Sequence, residues 1–560
     1  MDRVGCFQLQ GNTPLVGWQP SGGRRRCAAA ESPSLANFLR GVKLRSEYFP
    51  TDNNSAMAMT PRVDRFNFTL TVAVLLGISL PLLVFPEFSS VALQAAYAWI
   101  GDTFGWFYIL TGATALGVSL YLAFGPHAGI RLGDGPPEFS FPSWAAMLFA
   151  AGIGAGLMYW SGIEWAYYAA APPFGAEPKS PEAFQWAASY GMHHWGIVAW
   201  ALYCLPTLAI AYPFYVRRVP YLKYSTAADY WLKGRENTLV AKLMDGMFMV
   251  ALIGGAGSSL GFSTPLIAAL ISRLTGVPES FGLEMVVVVL CVVIFSTSVA
   301  LGLGRGIRRL SDLNMVLALV LLVAILFAGD TLFLLRMALN SVGHMLQNTI
   351  AMTFWTDPIG RSGFVEDWTI FYWAWWVSYG PFVGLFVSRI SRGRTVREVV
   401  LGMLVLGSLG CWLFYMLLGN HSLGLQVQGQ LDVMAVMESS GGNAAIIAGL
   451  DTLPLAGLII GLLCFVSVIF CATTYDSASY TLAASASEKL HPSEDPPRWH
   501  RLFWAIALAI LPIGLMYAGG IREAQTAVLV VSLPLVITLW PAGYGLLRSL
   551  QADRQGNNLP

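Results

Sequence analysis

Residues 368–379 read Trp368-Thr369-Ile370-Phe371-Tyr372-Trp373-Ala374-Trp375-Trp376-Val377-Ser378-Tyr379, twelve positions without a charge. A stretch of this kind belongs in hydrocarbon or in a protein core, and its surroundings decide for hydrocarbon. The chain has 560 residues, 55% hydrophobic and 12% charged, with mean hydropathy +0.58. Soluble domains carry about twice that charged fraction. Apolar windows of roughly 20 residues recur along nearly the whole chain, each long enough to cross a hydrocarbon core of about 30 Å. The sequence therefore predicts an all-α polytopic membrane protein, with spans centred near residues 77, 113, 155, 202, 255, 292, 324, 378, 408, 465, 509 and 534.

Basic residues support those twelve spans by gathering in alternate loops. One set holds Arg131; Arg217, Arg218, Lys223, Lys233 and Arg235; Arg305, Arg308 and Arg309; Arg389, Arg392, Arg394 and Arg397; and Lys489, Arg498 and Arg501. The intervening loops hold few, such as Lys179, Arg273, Arg361 and Arg522. The positive-inside rule then expects both termini and the basic loops on the cytoplasmic side of a cell's inner membrane. The segment from about Arg336 to Met352 is interrupted by Asn340, His344 and Gln347, and is expected to be an interfacial amphipathic helix.

Residues 1–60 fall outside the pattern, with Gly22-Gly23-Arg24-Arg25-Arg26 and no apolar run. They are expected to be a disordered extension or the product of an early start codon, with Met57 or Met59 as the true start; a basic membrane-surface tail or targeting segment is the other reading. Residues 549–560 form a short tail after a transporter-sized body at 66–548. The net charge of +1 gives no sign of nucleic-acid binding. Seven scattered cysteines without metal-ligand spacing indicate neither a disulfide framework nor a metal site.

Four spans carry helix-loosening residues near their centres. Span three has Gly152, Gly154 and Gly156; span five has Gly254-Gly255-Ala256-Gly257; span eight has Gly380-Pro381; span ten has Thr473-Thr474-Tyr475-Asp476-Ser477. In a membrane, irregular backbone is tolerated where it lines a cavity or is buried in protein. Spans three and eight are five apart, and an odd offset inverts one half of the chain relative to the other.

Aromatic residues mark two of these spans. Taken as one helix, span four places Trp195 and Tyr203 about 80° apart and Trp200 about 60° from Tyr203. Trp375, Trp376 and Tyr379 form a second face in span eight. Such stripes are often plain packing. Two facing each other at mid-membrane would instead make a box, and the ligand a box holds best is a quaternary ammonium group, which has no N–H to donate and is stabilised by ring faces at about 0.5–2 kcal/mol each.

The string from Asp367 to Trp376, continued by Ser388-Arg389-Ile390-Ser391-Arg392-Gly393-Arg394-Thr395, resembles the signature of the betaine/choline/carnitine transporter family. His194-Trp195-Gly196 and the glycine run of span three match too, and the resemblance covers about residues 66–545. Pro172-Pro173-Phe174-Gly175, Thr356-Asp357-Pro358-Ile359 and Ser479-Tyr480-Thr481-Leu482-Ala483 are similar to the carnitine/γ-butyrobetaine antiporter branch.

The resemblance implies a LeuT-type fold. Two helices would precede a five-plus-five inverted repeat, about residues 141–302 and 313–519, usually in a homotrimer. It implies a secondary transporter of carnitine, glycine betaine or choline rather than an enzyme, with no cofactor. The family's aromatic box falls on Trp195, Trp200, Tyr203 and Trp376. Tyr167 joins it in the carnitine branch, and Trp375 and Tyr379 lie beside it on the pathway. Sodium-coupled members would hold Na⁺ at the positions of Ala150, Ile153, Phe470, Thr473 and Thr474. The second sodium site falls on Leu252 and Ala256 and is expected to be missing. In the carnitine branch, an arginine at the position of Arg308 stands in for the cation.

Coupling thus stays open between substrate exchange and Na⁺ symport. Proton symport would draw on Glu164 or Asp476, since intramembrane acids are costly and usually functional. An intramembrane metalloenzyme built on His193-His194 is the remote alternative. Adjacent helical histidines point about 100° apart, which suits one metal poorly.

Overall fold

The computed structural model describes residues 62–556, apart from 236, 302–303, 489 and 491–493 and the side chains of 298–310 and 521. The expected N-terminal extension to residue 60 lies outside the described residues.

Among the described residues the regular structure is helical except for one two-residue strand pair. In chain order the main helices are α1 (Arg65–Val84), α2 (Pro86–Phe124), α3 (Phe141–Ala151), α4 (Ala155–Ala170), α5 (Pro181–His194), α6 (Ile197–Tyr215), α7 (Leu239–Thr275) and α8 (Phe281–Leu301). They continue as α9 (Gly304–Ala328), α10 (Thr331–Phe354), α11 (Val365–Ile390), α12 (Val396–Val427), α13 (Val433–Asp451), α14 (Ala456–Ser485), α15 (Arg498–Ala518) and α16 (Ile521–Arg554).

Among the described residues, eleven helices are long and apolar enough to cross a membrane, and α3 with α4 makes a twelfth as one bent span. The membership differs at one place from the sequence reading. Helix α13 passes the length test although no span was expected there, but Gly441 (φ 86°, ψ 168°) breaks it in the middle. The expected sixth span, α8, is an apolar helix over Phe281–Leu301, of which Phe281–Thr297 is described with its side chains. Helix α10 is the expected amphipathic helix, opened by the Asp330 carboxylate accepting from the Phe333 N–H at 3.0 Å.

Burial sorts the spans into layers. The α5–α6 span is 89% buried and α11 is 78% buried, against 28% for α1. Helices α6 and α11 run along each other at the centre, with α7 packed on α11 and side chains of α4 reaching α11 at Phe371 and Tyr372. Glycine sets that contact: a methyl at Gly384 of α11 would come within 3.1 Å of the Thr207 backbone nitrogen in α6. Such close approach needs residues without a Cβ.

Three of the four loosened spans are in fact continuous. Helices α7, α11 and α14 run unbroken through their glycine, proline or threonine clusters. In α7 the glycines serve packing instead: Gly255 lies against Ser378 and Tyr379, and Gly257 against Leu511. Only α3–α4 breaks, with a 63° bend.

At the start of the described chain, Arg62–Val63 (β1) pairs antiparallel with Ser487–Glu488 (β2). Asp64 then caps α1 by accepting from the Phe66 and Asn67 N–H groups. Lys242 of α7 stands 3.8 Å from Asp64 and 4.0 Å from Glu488, tying the three segments together.

Candidate functional site

Two breaks in the backbone shape the centre of the molecule. Between α3 and α4, Gly152 takes helical angles and Gly154 is extended (φ −133°, ψ 173°). The neighbours leave no room for a side chain at Gly152 or Gly156, whereas Gly154 has open space beside it. A methyl at Gly152 would sit 2.7 Å from the Gly407 carbonyl oxygen and 3.0 Å from Cζ2 of Trp200. A methyl at Gly156 would sit 2.8 Å from Cη2 of Trp375.

The second break lies between α5 and α6, at Trp195 (φ −109°, ψ 15°) and Gly196 (φ −112°, ψ −143°). The sequence reading treated span four as one helix, so the 80° offset of Trp195 from Tyr203 does not hold. Gly196 is required because any side chain would meet the Met192 carbonyl and the Trp412 indole, which itself donates to that carbonyl at 2.7 Å. Trp195 nevertheless reaches the same place as the α6 aromatics, from the break rather than from the helix face.

The rings meet around Trp376. Its centroid lies 4.6 Å from Tyr203, 5.7 Å from Trp195 and 5.9 Å from Trp200, and Trp200 lies 5.4 Å from Tyr203. The four residues of the expected box therefore meet through Trp376. Trp375 turns to the other side of α11, where its indole N–H donates to the Gly255 carbonyl at 3.3 Å and its ring meets Trp195 at 5.5 Å and Phe262 at 5.5 Å. Tyr379 packs one turn further on against Gly255.

Tyr167 lies in an adjoining cluster. Its hydroxyl pairs with that of Tyr159 at 3.0 Å, and its ring meets Trp368 at 5.7 Å and Trp160 at 6.3 Å. The two clusters are joined through Phe371, which contacts Trp160 at 6.1 Å and stacks on Trp375 at 5.6 Å.

At the expected cation positions, the Thr473 hydroxyl donates to the carbonyls of Ile469 (2.9 Å) and Phe470 (3.1 Å), and that of Thr474 donates to Phe470 (2.8 Å). The Ala150 carbonyl accepts from the Ile153 N–H at 3.1 Å across the α3–α4 break. These bonds use the hydroxyl protons and leave oxygen lone pairs, the part a hard cation would use. Arg308 belongs to α9, and its side chain is outside the described residues. Asp476 lies on the partly buried side of α14.

Sequence reasoning singled out Glu164 but not its partners. The fully buried carboxylate accepts from Tyr168, from Tyr372 at 2.6 Å and from Tyr415. Tyr168 is four residues on and could have been read as a helical pair. Tyr372 and Tyr415 come from α11 and α12. Each lies beside a π-helical turn, Val365–Ile370 and Tyr415–Gly419, a feature that recurs at functional sites. His194 joins the group through Tyr168 (2.7 Å to Nδ1) and Thr369 (3.0 Å to Nε2), so it sits in a hydrogen-bond chain rather than facing His193 across a metal.

A bundle of apolar spans with a broken helix and a buried aromatic cluster at its centre defines a membrane transporter. Comparison with known proteins sharpens that class. The model of the betaine/carnitine/choline family transporter matches residues 66–555, so the chain belongs to this family. It is 35% identical over 440 residues to the uncharacterized transporter YeaV of Escherichia coli (strain K12), covering 78% of this chain and 92% of that protein. It is 31% identical over 506 residues to the carnitine transporter of Acinetobacter baumannii, covering 90% of this chain and 91% of the relative.

Proposed function

We propose that the chain moves trimethylammonium compounds, of the class of carnitine, glycine betaine and choline, by alternating access around the Trp376 cluster. The observation that carries this reading is the contact of Trp376 with Trp195, Trp200 and Tyr203 at 4.6–5.9 Å, four large rings drawn from two helices and a helix break. A cation engages a ring within about 6 Å of its centroid. Tyr203 and Trp376, 4.6 Å apart, leave no room between them, because two carbon surfaces in contact already take about 3.5–4.0 Å. The ammonium head therefore sits against the rim of the cluster, or the rings part to admit it. Membership of a transporter family and 31% identity to a carnitine transporter support the same substrate class and argue against an enzyme. The protein works in the cytoplasmic membrane, with both termini inside, and as a homotrimer.

Coupling separates two versions of this function. In the exchanger version, Arg308 supplies a fixed positive charge and uptake needs substrate inside. In the symporter version, Na⁺ sits among Ala150, Ile153, Phe470, Thr473 and Thr474. The test is uptake of labelled carnitine, betaine and choline into proteoliposomes, with and without a Na⁺ gradient and with and without internal substrate. Exchange that ignores Na⁺ selects the first version, and Na⁺-driven uptake into empty vesicles selects the second. Absence of uptake of all three compounds under every condition overturns the substrate class.

A further inference from the structure

Glu164 stands in the first helix after the α3–α4 break, fully buried among the helices that carry the aromatic cluster. Three tyrosine hydroxyls from three helices converge on its carboxylate: Tyr168 of α4 on Oε1, and Tyr372 of α11 and Tyr415 of α12 on Oε2. The two rings on Oε2 flank Trp195, at 5.8 Å for Tyr372 and 6.2 Å for Tyr415. Tyr372 also lies 6.1 Å from Trp375. The carboxylate thus lies beside Trp195, itself a member of the candidate substrate cluster.

The hydrogen bonds indicate which protonation state the site is built for. Each tyrosine has a single proton to give. With the carboxyl ionised, all three tyrosines donate to it, His194 donates from Nδ1 to Tyr168, and Thr369 donates to Nε2 of His194. Every donor in the chain then has an acceptor. With the carboxyl protonated on Oε1 the chain reverses, and the Thr369 hydroxyl proton is left without an acceptor among the described contacts. Hydrogen bonds to a carboxylate are charge-assisted and favour the ionised form.

That carboxylate has no fixed cation within ion-pair distance among the described residues. Among the described residues, His194 at 3.9 Å is the basic group within ion-pair distance, and its ring serves as a neutral link in the chain above. His193, on the same turn of α5, is buried against Trp373 and His194. Buried charges are otherwise paired. We propose that Glu164 is the fixed counter-charge for the quaternary ammonium head, acting through the Tyr372 and Tyr415 rings on a substrate held at the Trp195–Trp376 cluster. This assignment rests on the substrate class proposed above. The rings supply shape and a dry surface, and the carboxylate supplies the long-range preference for a cation over a neutral group of the same shape.

The experiment compares binding of each quaternary ammonium compound with its carbon isostere, C(CH₃)₃ in place of N(CH₃)₃⁺, to the purified full chain by intrinsic tryptophan fluorescence. Glu164→Gln keeps the size of the side chain and one acceptor oxygen while removing the charge. The expected result is about tenfold weaker binding of the cation, with the isostere changed by less than about twofold. Equal weakening of both ligands would mean that Glu164 only holds the tyrosines, and it overturns the assignment; so does unchanged binding of the cation. Should E164Q not be recovered folded, Glu164→Asp keeps the charge: retained discrimination between cation and isostere supports the assignment, and its loss overturns it. Wild-type protein that binds none of the cations removes the substrate class and this assignment together. Wild-type binding with full discrimination kept in E164Q removes this assignment alone.

Discussion

Replacing Trp376 by leucine removes the one ring that touches the three other members of the cluster while keeping apolar bulk. Its ring pairs, at 4.6, 5.7 and 5.9 Å, contribute about 0.5–1.5 kcal/mol each beyond area burial. The fold therefore loses roughly 1.5–4.5 kcal/mol before leucine's own packing returns part of it. The ligand loses one ring face, about 0.5–2 kcal/mol, which is roughly 2- to 30-fold in Kd. The two effects separate when Kd is measured by calorimetry well below the melting temperature and Tm is measured independently. Trp376→Phe, which restores a smaller ring, should fall between leucine and wild type in Kd. Trp376→Ala should abolish uptake in proteoliposomes and still insert in the membrane. A W376L protein that melts early but binds its substrate with wild-type affinity would refute the reasoning, because the ring would then be packing and nothing more.

Gly407→Ala should be more damaging than its size suggests. The new methyl would run into the Trp200 ring, which is fully buried, and overpacking of this kind costs about 1–3 kcal/mol, read as a lower Tm and poorer recovery of folded protein. Asp330→Ala should fray the start of α10, seen as faster amide exchange at Leu332–Leu334. The Phe333 N–H bonded to Asp330 holds that carboxyl below the usual range, so the cap's contribution is present above the unfolded pKa of about 3.9 and is lost as pH falls through the lower folded value. The difference from wild type should accordingly be full above roughly pH 5 and shrink below about pH 4. Thr473→Val combined with Thr474→Val should erase any Na⁺ stimulation of uptake and leave Na⁺-free exchange intact; equal loss of both would assign the hydroxyls to the helix bonds they make with Ile469 and Phe470.

The sequence made the membrane class, the aromatic cluster and the break at Gly152–Gly154 legible, each for a local reason. Twenty apolar residues have few other uses, and three glycines within five positions leave a helix little to gain from regularity. The same logic misjudged α7, α11 and α14. Glycine serves both a broken helix and a tightly packed one, and the two differ only in what stands opposite. For Gly255 the opposing groups are Ser378 and Tyr379, 123 and 124 positions away by number, which no local pattern reveals. The break at Trp195–Gly196 was hidden by its own aromatic periodicity, which continued to read as a helix. The partners of Glu164 were out of reach for a further reason. Tyr372 and Tyr415 stand 208 and 251 residues along the chain, and meet only after three helices have packed.

These contacts divide the cluster mechanically as well as chemically. Trp200, Tyr203 and Trp376 belong to α6 and α11, which Gly384 locks backbone to backbone at Thr207. Shearing that pair would drive a helix into a space with no side chain to yield, so these three rings move together. Trp195 is held differently, at the break between α5 and α6, and Glu164 lies in the second half of α4, the helix that follows the α3–α4 break. Two of the carboxylate's three hydroxyl bonds, those from Tyr372 and Tyr415, tie α4 to α11 and α12. An opening of the site that keeps α6 and α11 as one body must then either break the Glu164 bonds to Tyr372 and Tyr415 or carry α4 along with α11. Breaking them would strip a buried carboxylate of two donors at once, a cost that a bound cation reduces. With Glu164 as the proposed counter-charge, substrate binding and helix movement would be coupled through the same group, with loading of the site favouring movement.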